Sequence, residues 1–327
     1  MPSATETIGT GETYTTPWAW EAALPASIDQ VYTGECKAEE FVATFTFDGH
    51  TTDADNYYHL TAESGAEHDG RAHELSGLGN ARLSATYNGS GLGDDYIRVS
   101  WLEWLHDGNV SPSMYLLGTS EDNCLIHHCI FHMPTNFGVG GISCAGASSF
   151  YRNIIYGTHR GLNVITGGEC YNNTSFDYRV GHSSFQGALR VYSSDGAIRN
   201  NAFFEGPWNI DFNWRGLTPA ASHNCSSDGT ADDVGTDSLV NKDATDNLVN
   251  ATDTWAECDC RIREDAVDLL GAGVDLSATG LPEIDVPISD RSATITGSWS
   301  IGADDVVSAG GGKPQWYYQR NRMRRTN

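Results

Sequence analysis

GISCAGASSFYRNIIYG (residues 141–157) lies over GLNVITGGECYNNTSFD (161–177) at an offset of twenty residues without a gap. Gly141 meets Gly161, Ile142 meets Leu162, Phe150 meets Cys170, Tyr151 meets Tyr171, Asn153 meets Asn173 and Tyr156 meets Phe176. Looser copies flank the pair. CLIHHCIF (124–131) sets His128 twenty-five residues before Asn153, AIRNNAFF (197–204) sets Asn201 twenty-eight after Asn173, and SHNCSSDG follows about twenty-four later. Short β-favouring segments recurring every twenty to twenty-eight residues, with Gly or Asn between them, are the pattern of a solenoid. One coil cannot bury its apolar side chains alone. Stacked coils can, because equivalent residues then lie about 4.8 Å apart in inward columns. Ile142/Leu162 and Phe150/Cys170 read as such columns. Asn153/Asn173 reads as a corner ladder, where Asn tolerates the left-handed region and its amide bonds along the axis. The LxxLxLxxN pattern of leucine-rich repeats is absent, and a β-sandwich gives no reason for an ungapped twenty-residue match.

Composition agrees with an all-β chain. Glycine supplies 36 of 327 residues, and each one in a helix interior would cost about 1 kcal/mol relative to Ala. Hydrophobic residues make up 39%, enough for a core and against a wholly disordered chain. The formal net charge is -24. Without the five bases of the last fifteen residues, 14 bases face 43 acids, a net of -29. Such a surface repels nucleic acid and anionic glycans unless a local patch overrides the field. The opening MPSATETIGTGETYTT carries neither a basic nor an apolar leader region, so no secretory signal is expected. No apolar run reaches the length of a membrane span, so no membrane partner is expected. The eight cysteines form no paired CxxC motif, and Cys258 with Cys260 is too little for a metal site.

Along the chain, TPWAWEAALPAS predicts a short helix over 17–24, with Thr16 as cap and Pro17 at the first position. EEFVATFTFDG, with Phe41, Ala43, Phe45 and Phe47 alternating, predicts a strand entering a turn at Asp48-Gly49. YYHLTAES and YIRVSWLEWL read as further strands. Four segments follow: an entry strand and capping helix (1–39), β-helix coils (40–225), an acidic coiling and closing segment (226–309), and a basic aromatic arm (310–327).

IGTGETYTTPWAWEAALP resembles the entry segment of right-handed parallel β-helix proteins of the pectate-lyase-like superfamily, in which a glycine-rich strand leads into a short capping helix. RIREDAVDLLGAGVDLS followed by WSIGADD looks like their closing segment, with Asp265-Ala266-Val267 in place of Ser-Pro-Ala and Asp304-Asp305 at the acidic end. The resemblance spans roughly residues 8–306 and implies a right-handed parallel β-helix. It implies little about activity, because the superfamily holds lyases, hydrolases, epimerases and non-catalytic phage and surface proteins.

The central coils hold the candidate chemistry. Glycoside hydrolysis needs two carboxyl groups across the scissile bond, and uronan elimination needs a base and a cation. Asp177, Arg179, His182, Arg190, Asp195, Arg199, Asp211 and Arg215 form the richest polar set. If the chain is an enzyme, Asp177, Arg179, His182, Asp195 and Asp211 are the catalytic candidates; the alternative is that all are solvated outer-face residues. His127, His128, Cys129 and His132 raise a metal, but a structural zinc wants four ligands of defined geometry. Cys129 reads equally well as an inward residue with His128 at a corner. No metal and no cofactor is assigned on this pattern. Trp208, Trp214, Phe212 and Tyr192 are sugar-stacking, interface or core aromatics.

The chain ends in KPQWYYQRNRMRRTN after a run of three glycines. Trp316, Tyr317 and Tyr318, with Arg320, Arg322, Arg324 and Arg325, read as a docking arm for an acidic partner or a second copy. A β-helix with no leader, no catalytic motif and a docking arm leads to the expectation of a bacteriophage-like virion structural protein rather than an enzyme. It would be a capsid decoration, spike or tail-associated subunit, assembled in the host cytoplasm. Its partners would be capsid or tail proteins, a host-surface glycan and further copies of itself, trimers being common among phage β-helix spikes. The alternatives are a polysaccharide lyase or glycoside hydrolase, and a non-catalytic glycan-binding protein.

Overall fold

The computed structural model describes residues 4–42, 46–71, 79–85, 90–106, 115–119, 122–132, 140–144, 146–157, 162–164, 167–176, 188–204, 211–252 and 257–305. The chain is an all-β solenoid. Three sheets of nine, eight and seven described strands are each built from parallel neighbours one coil apart. One coil shows the plan. Leu125–His127 lies in the first sheet, Ile130–His132 in the second after a two-residue corner, and Gly140–Cys144 in the third. The next coil repeats it with Ser149–Tyr151, Ile154–Tyr156 and Leu162–Val164.

The ungapped repeat is a true structural register. Ile142 pairs with Leu162, and Phe150 pairs with Cys170. The middle residue of each first-sheet strand points inward, giving the column Leu60, Val99, Ile126, Phe150, Cys170 and Ile198, all buried. Burying one such side chain contributes about 1.5–3 kcal/mol. EEFVATFTFDG differs from its expected form. Its described parts are two strands, Glu40–Val42 in the second sheet and Thr46–Phe47 in the third. Phe41 and Phe47 are still buried, while Val42 faces solvent.

The asparagine ladder is present, one position away from the left-handed residue. Cys129, Asn153, Asn173, Asn201 and Asn224 follow the corner and point inward. Asn153 N–H donates to Asn173 Oδ1 at 3.0 Å, Asn173 N–H to Asn201 Oδ1 at 3.0 Å, and Asn201 N–H to Asn224 Oδ1 at 3.0 Å. The side-chain amide groups of Asn153, Asn173, Asn201 and Asn224 donate to the carbonyls of Ile126, Phe150, Cys170 and Ile198. The ladder thus satisfies the backbone groups that the turn leaves buried, which would otherwise cost about 1–3 kcal/mol each. Cys129 occupies the ladder position twenty-four residues before Asn153 and donates its N–H to Asn153 Oδ1, so His128 is the residue at the corner itself.

The helix is shorter than expected, Pro17–Glu21, with Ala19 N–H donating to the Thr16 hydroxyl. Trp20 is fully buried and meets the edge of Tyr58. Gly34 permits this approach, since a Cβ there would lie 2.7 Å from Ile8 Cδ1 and 3.0 Å from the Trp20 ring.

Thr236 and Leu239 still bridge Ser222 and Cys225 in parallel on the last coil, and from Leu248 onward the chain runs back along the solenoid. Leu248, Cys258, Cys260, Ile262, Leu269, Ile288 and Ile301 pack on Ile130, Ile154, Phe176 and Phe204 of the second sheet. Leu276, Ile284 and Trp299 pack on Tyr151 and Tyr171 of the first. Residues 273–305 therefore form a strap over the corner between these two sheets. Among the described residues, no helix is long and apolar enough to cross a membrane.

Candidate functional site

The corner column decides where the strap docks. Trp101, His128, Arg152, Asn172, Asn200 and His223 all have positive φ, between 49° and 58°. Asn adopts this region readily, whereas for other non-glycine residues it is a strained position tolerated when the side chain has a use. Each of the first five reaches the strap. Asn200 Nδ2 donates to the Val274 carbonyl at 2.7 Å, and Val274 N–H donates to Asn200 Oδ1 at 2.9 Å. Asn172 Nδ2 donates to the carbonyls of Ser300 and Gly302 at 3.0 Å each. Arg152 Nε donates to the Ile284 carbonyl at 3.0 Å, and its Nη1 pairs with Asp305 at 3.1 Å. His128 Nε2 lies 2.7 Å from the Val286 carbonyl, and Trp101 Nε1 donates to Glu283 Oε2 at 2.9 Å.

Where Trp101 and His128 replace Asn in this column, the strap brings Glu283 onto a group of imidazoles. His127 and His128 are adjacent, with Nδ1 atoms 2.9 Å apart, and Glu283 Oε2 lies 3.8 Å from His127 Nδ1. His127 stacks on Tyr151, and His128 stacks on Trp101. The Tyr151 hydroxyl donates to the Pro282 carbonyl at 2.8 Å. The hydrogen bonds assign the protons. His128 Nε2 must donate to Val286, so its Nδ1 carries a lone pair that accepts from His127 Nδ1–H. His127 Nε2 is then the unprotonated nitrogen. His68 Nε2 donates to the His128 carbonyl at 2.8 Å, and supports the corner from behind.

On the outer side of the same sheet, His127 stands in register with Ser100, which pairs with Thr61. His59 Nε2 lies 2.8 Å from the Ser100 hydroxyl, and its ring centroid is 6.4 Å from that of His127. His59 and Arg98 are half-buried neighbours in register, and Arg98 lies 3.8 Å over the Tyr57 ring. Most described cations of this acidic chain have a carboxylate partner: Lys37, Arg71, Arg82, Arg152, Lys242, Arg261, Arg263 and Arg291 are all paired. Among the described residues, no carboxylate lies within ion-pair distance of Arg98, which leaves it a cation held by an aromatic face.

Burial, then the neighbouring His128, His59, Arg98 and Arg291, hold His127 well below the usual histidine range. Burial does the same for His128, against the opposing hydrogen bond to Val286. His59 is likewise lowered, by burial and then by Arg98 and Arg291. All three are neutral imidazoles at neutral pH, the form that coordinates a metal.

The residues singled out from the sequence fall elsewhere. Asp177, Arg179 and His182 lie outside the described residues, as do Trp208, Trp316, Tyr317, Tyr318, Arg320, Arg322, Arg324 and Arg325. Asp195 is exposed in the turn before the strand Ala197–Arg199. Asp211 is fully buried, and its Oδ2 accepts from the Ser227 N–H and hydroxyl, which gives it a structural task. Arg190 and Arg215 both stack on Tyr192. Trp214 is core, stacked on Phe212. His127 and His128 were visible as a pair, but Glu283, Trp101, His59 and Arg98 carried no sequence signal. Positive φ at Trp101 and His128 was the hidden one.

The expectation of a virion structural protein, leaning against an enzyme, is corrected here. The His127–His128–Glu283 cluster, with its ligand atoms within 4.8 Å of one another, is a candidate metal centre and favours an enzyme over a virion subunit. No protein family matches the sequence, and no curated protein matches it. Similar solved structures include two of the pectin methylesterase from Aspergillus niger. The deglycosylated form is 10% identical, with a TM-score of 0.43, and the match covers 79% of this chain and 94% of that one. The penultimately deglycosylated form is 13% identical, with a TM-score of 0.44, covering 85% and 98%.

Proposed function

We propose that this chain is an enzyme acting on a polysaccharide, of the lyase or hydrolase type, on a right-handed parallel β-helix. The strong preference of parallel crossovers for one hand supports the right-handed form. The observation that carries the reading is the cluster of His59, His127, His128 and Glu283 on one flank, beside the unpaired cation Arg98. Elimination from a uronate needs a base for the proton next to the carboxylate and a positive charge to stabilise the resulting anion. His59 at the half-open rim supplies a neutral imidazole, and Arg98 on Tyr57 supplies the charge. Hydrolysis would need two carboxyl groups facing each other across the bond; Glu283 is instead held by Trp101 beside histidines, which favours the lyase form.

The test is to incubate the purified chain with acidic and neutral polysaccharides and follow unsaturated and reducing ends. His59→Ala and Arg98→Ala are expected to lower the rate by about 100-fold or more while leaving circular dichroism unchanged. Folded protein that releases neither kind of end from any polysaccharide overturns the proposal. Activity that survives His59→Ala but falls in Asp177→Asn or Asp195→Asn moves the centre away from His59.

A further inference from the structure

We infer that His127 Nδ1, His128 Nδ1 and Glu283 Oε2 form a binding site for a zinc-class divalent cation, with one coordination position left open. The inference rests on the same flank as the proposed activity and deepens it.

Geometry comes first. The three ligand atoms lie within 4.8 Å of one another, with 2.9 Å between the two Nδ1 atoms and 3.8 Å from His127 Nδ1 to Glu283 Oε2. Tetrahedral ligands on a zinc ion with bonds of about 2.0–2.1 Å are about 3.3 Å apart. The two separations bracket that value.

Donor chemistry selects the ion. Two imidazole nitrogens and one carboxylate suit zinc and its transition-metal neighbours, whereas calcium and magnesium take oxygen ligands. Two histidines and one glutamate are also the three-ligand set that leaves a fourth position for water or substrate.

The surrounding bonds hold the ligands in the form required. His128 is tied through Nε2 to the Val286 carbonyl, which leaves Nδ1 as its ligand atom. Glu283 is tied by Trp101 Nε1. Metal-ligating histidines and carboxylates elsewhere depend on such outer partners for orientation. Only His127 has to change. Its proton moves from Nδ1 to Nε2 when the ion enters, with no net proton lost, and the Nδ1–Nδ1 hydrogen bond gives way to two metal bonds. All three ligands come from segments that the corner column and strap already fix, so little order has to be gained on binding.

The full chain, stripped with a chelator and dialysed, is titrated with zinc chloride by calorimetry, and its metal content is measured. Cobalt(II) is added in parallel to read the visible absorption of a tetrahedral site. One equivalent of zinc with micromolar or tighter affinity is expected, with a tetrahedral cobalt spectrum. His127→Phe, which keeps the ring stack on Tyr151, and Glu283→Gln are expected to weaken binding by on the order of 100-fold, and Trp101→Phe by about tenfold. Failure to bind zinc, or equal binding by H127F and E283Q, overturns the inference. The two readings part cleanly. Zinc binding without release of polysaccharide ends supports the metal site and removes the proposed activity. Activity in a chain that binds no zinc does the reverse.

Discussion

Arg152 Nη1 stands 3.1 Å from Asp305 Oδ2, and both side chains are shut away from solvent. This pair fastens the last described residue of the strap to a corner in the middle of the solenoid. Arg152→Met leaves Asp305 as an uncompensated buried charge, so a loss of about 3–5 kcal/mol is expected. Adding Asp305→Asn is expected to recover part of it. Denaturant midpoints measure both, and limited proteolysis should accelerate within 273–305 in the single variant. An unchanged cleavage rate there would refute the fastening role.

Asn173 serves two coils at once, accepting from Asn153 N–H and donating to the Phe150 carbonyl. Asn173→Ala strands both groups in the interior. A loss of about 3 kcal/mol or more is expected, at about 1–3 kcal/mol per unsatisfied group, and thermal unfolding followed by circular dichroism reads it. A loss below about 1 kcal/mol would show that the ladder does not carry the corners.

Acid should unfold the protein partly through His68. Burial lowers it from 6.5 to about 4, so the unfolded chain takes up this proton first as pH falls. Its contribution is full above pH 6.5 and is lost between 6.5 and about 4, at about 1.4 kcal/mol per unit. His68→Gln keeps a donor for the His128 carbonyl and removes the titration. Between neutral pH and pH 4.5 the variant is expected to lose less of its melting temperature than the parent. Equal losses would remove His68 from the account.

Asp304 works in the opposite direction. Burial raises it from 3.8 to about 6, against the opposing Ser289 hydrogen bond and Arg261. The native chain keeps a proton there that the unfolded chain has released, so this group's contribution is full below 3.8 and is lost as pH rises from 3.8 to about 6. Asp304→Asn removes that fall. Its melting temperature relative to the parent is expected to rise on going from pH 4 to pH 7.5, and a flat difference would contradict the buried carboxyl.

The coil register and the asparagine ladder were legible in the sequence because a solenoid places like positions one above another. Ile142 above Leu162 and Asn153 beside Asn173 are contacts between copies of one pattern, so alignment and adjacency are the same statement. The misread segment shows where that logic stops. Phe41 and Phe47 are both interior, but alternation alone does not tell a straight strand from one that turns a corner between them.

His127 and His128 stand out in the sequence as a pair. The missing carboxylate is not near them in sequence: Trp101, which positions Glu283, is 182 residues from it, and His128 is 158 residues from the Val286 carbonyl that orients it. No repeat relates the strap to the coils it crosses, so no periodicity points from one to the other. The sequence by itself determined the stacking of the coils, since that depends on which side chains recur. Only the tertiary structure decided that three residues from two unrelated segments share one small volume, because that depends on where the strap's backbone finds hydrogen-bond partners along the left-handed corner.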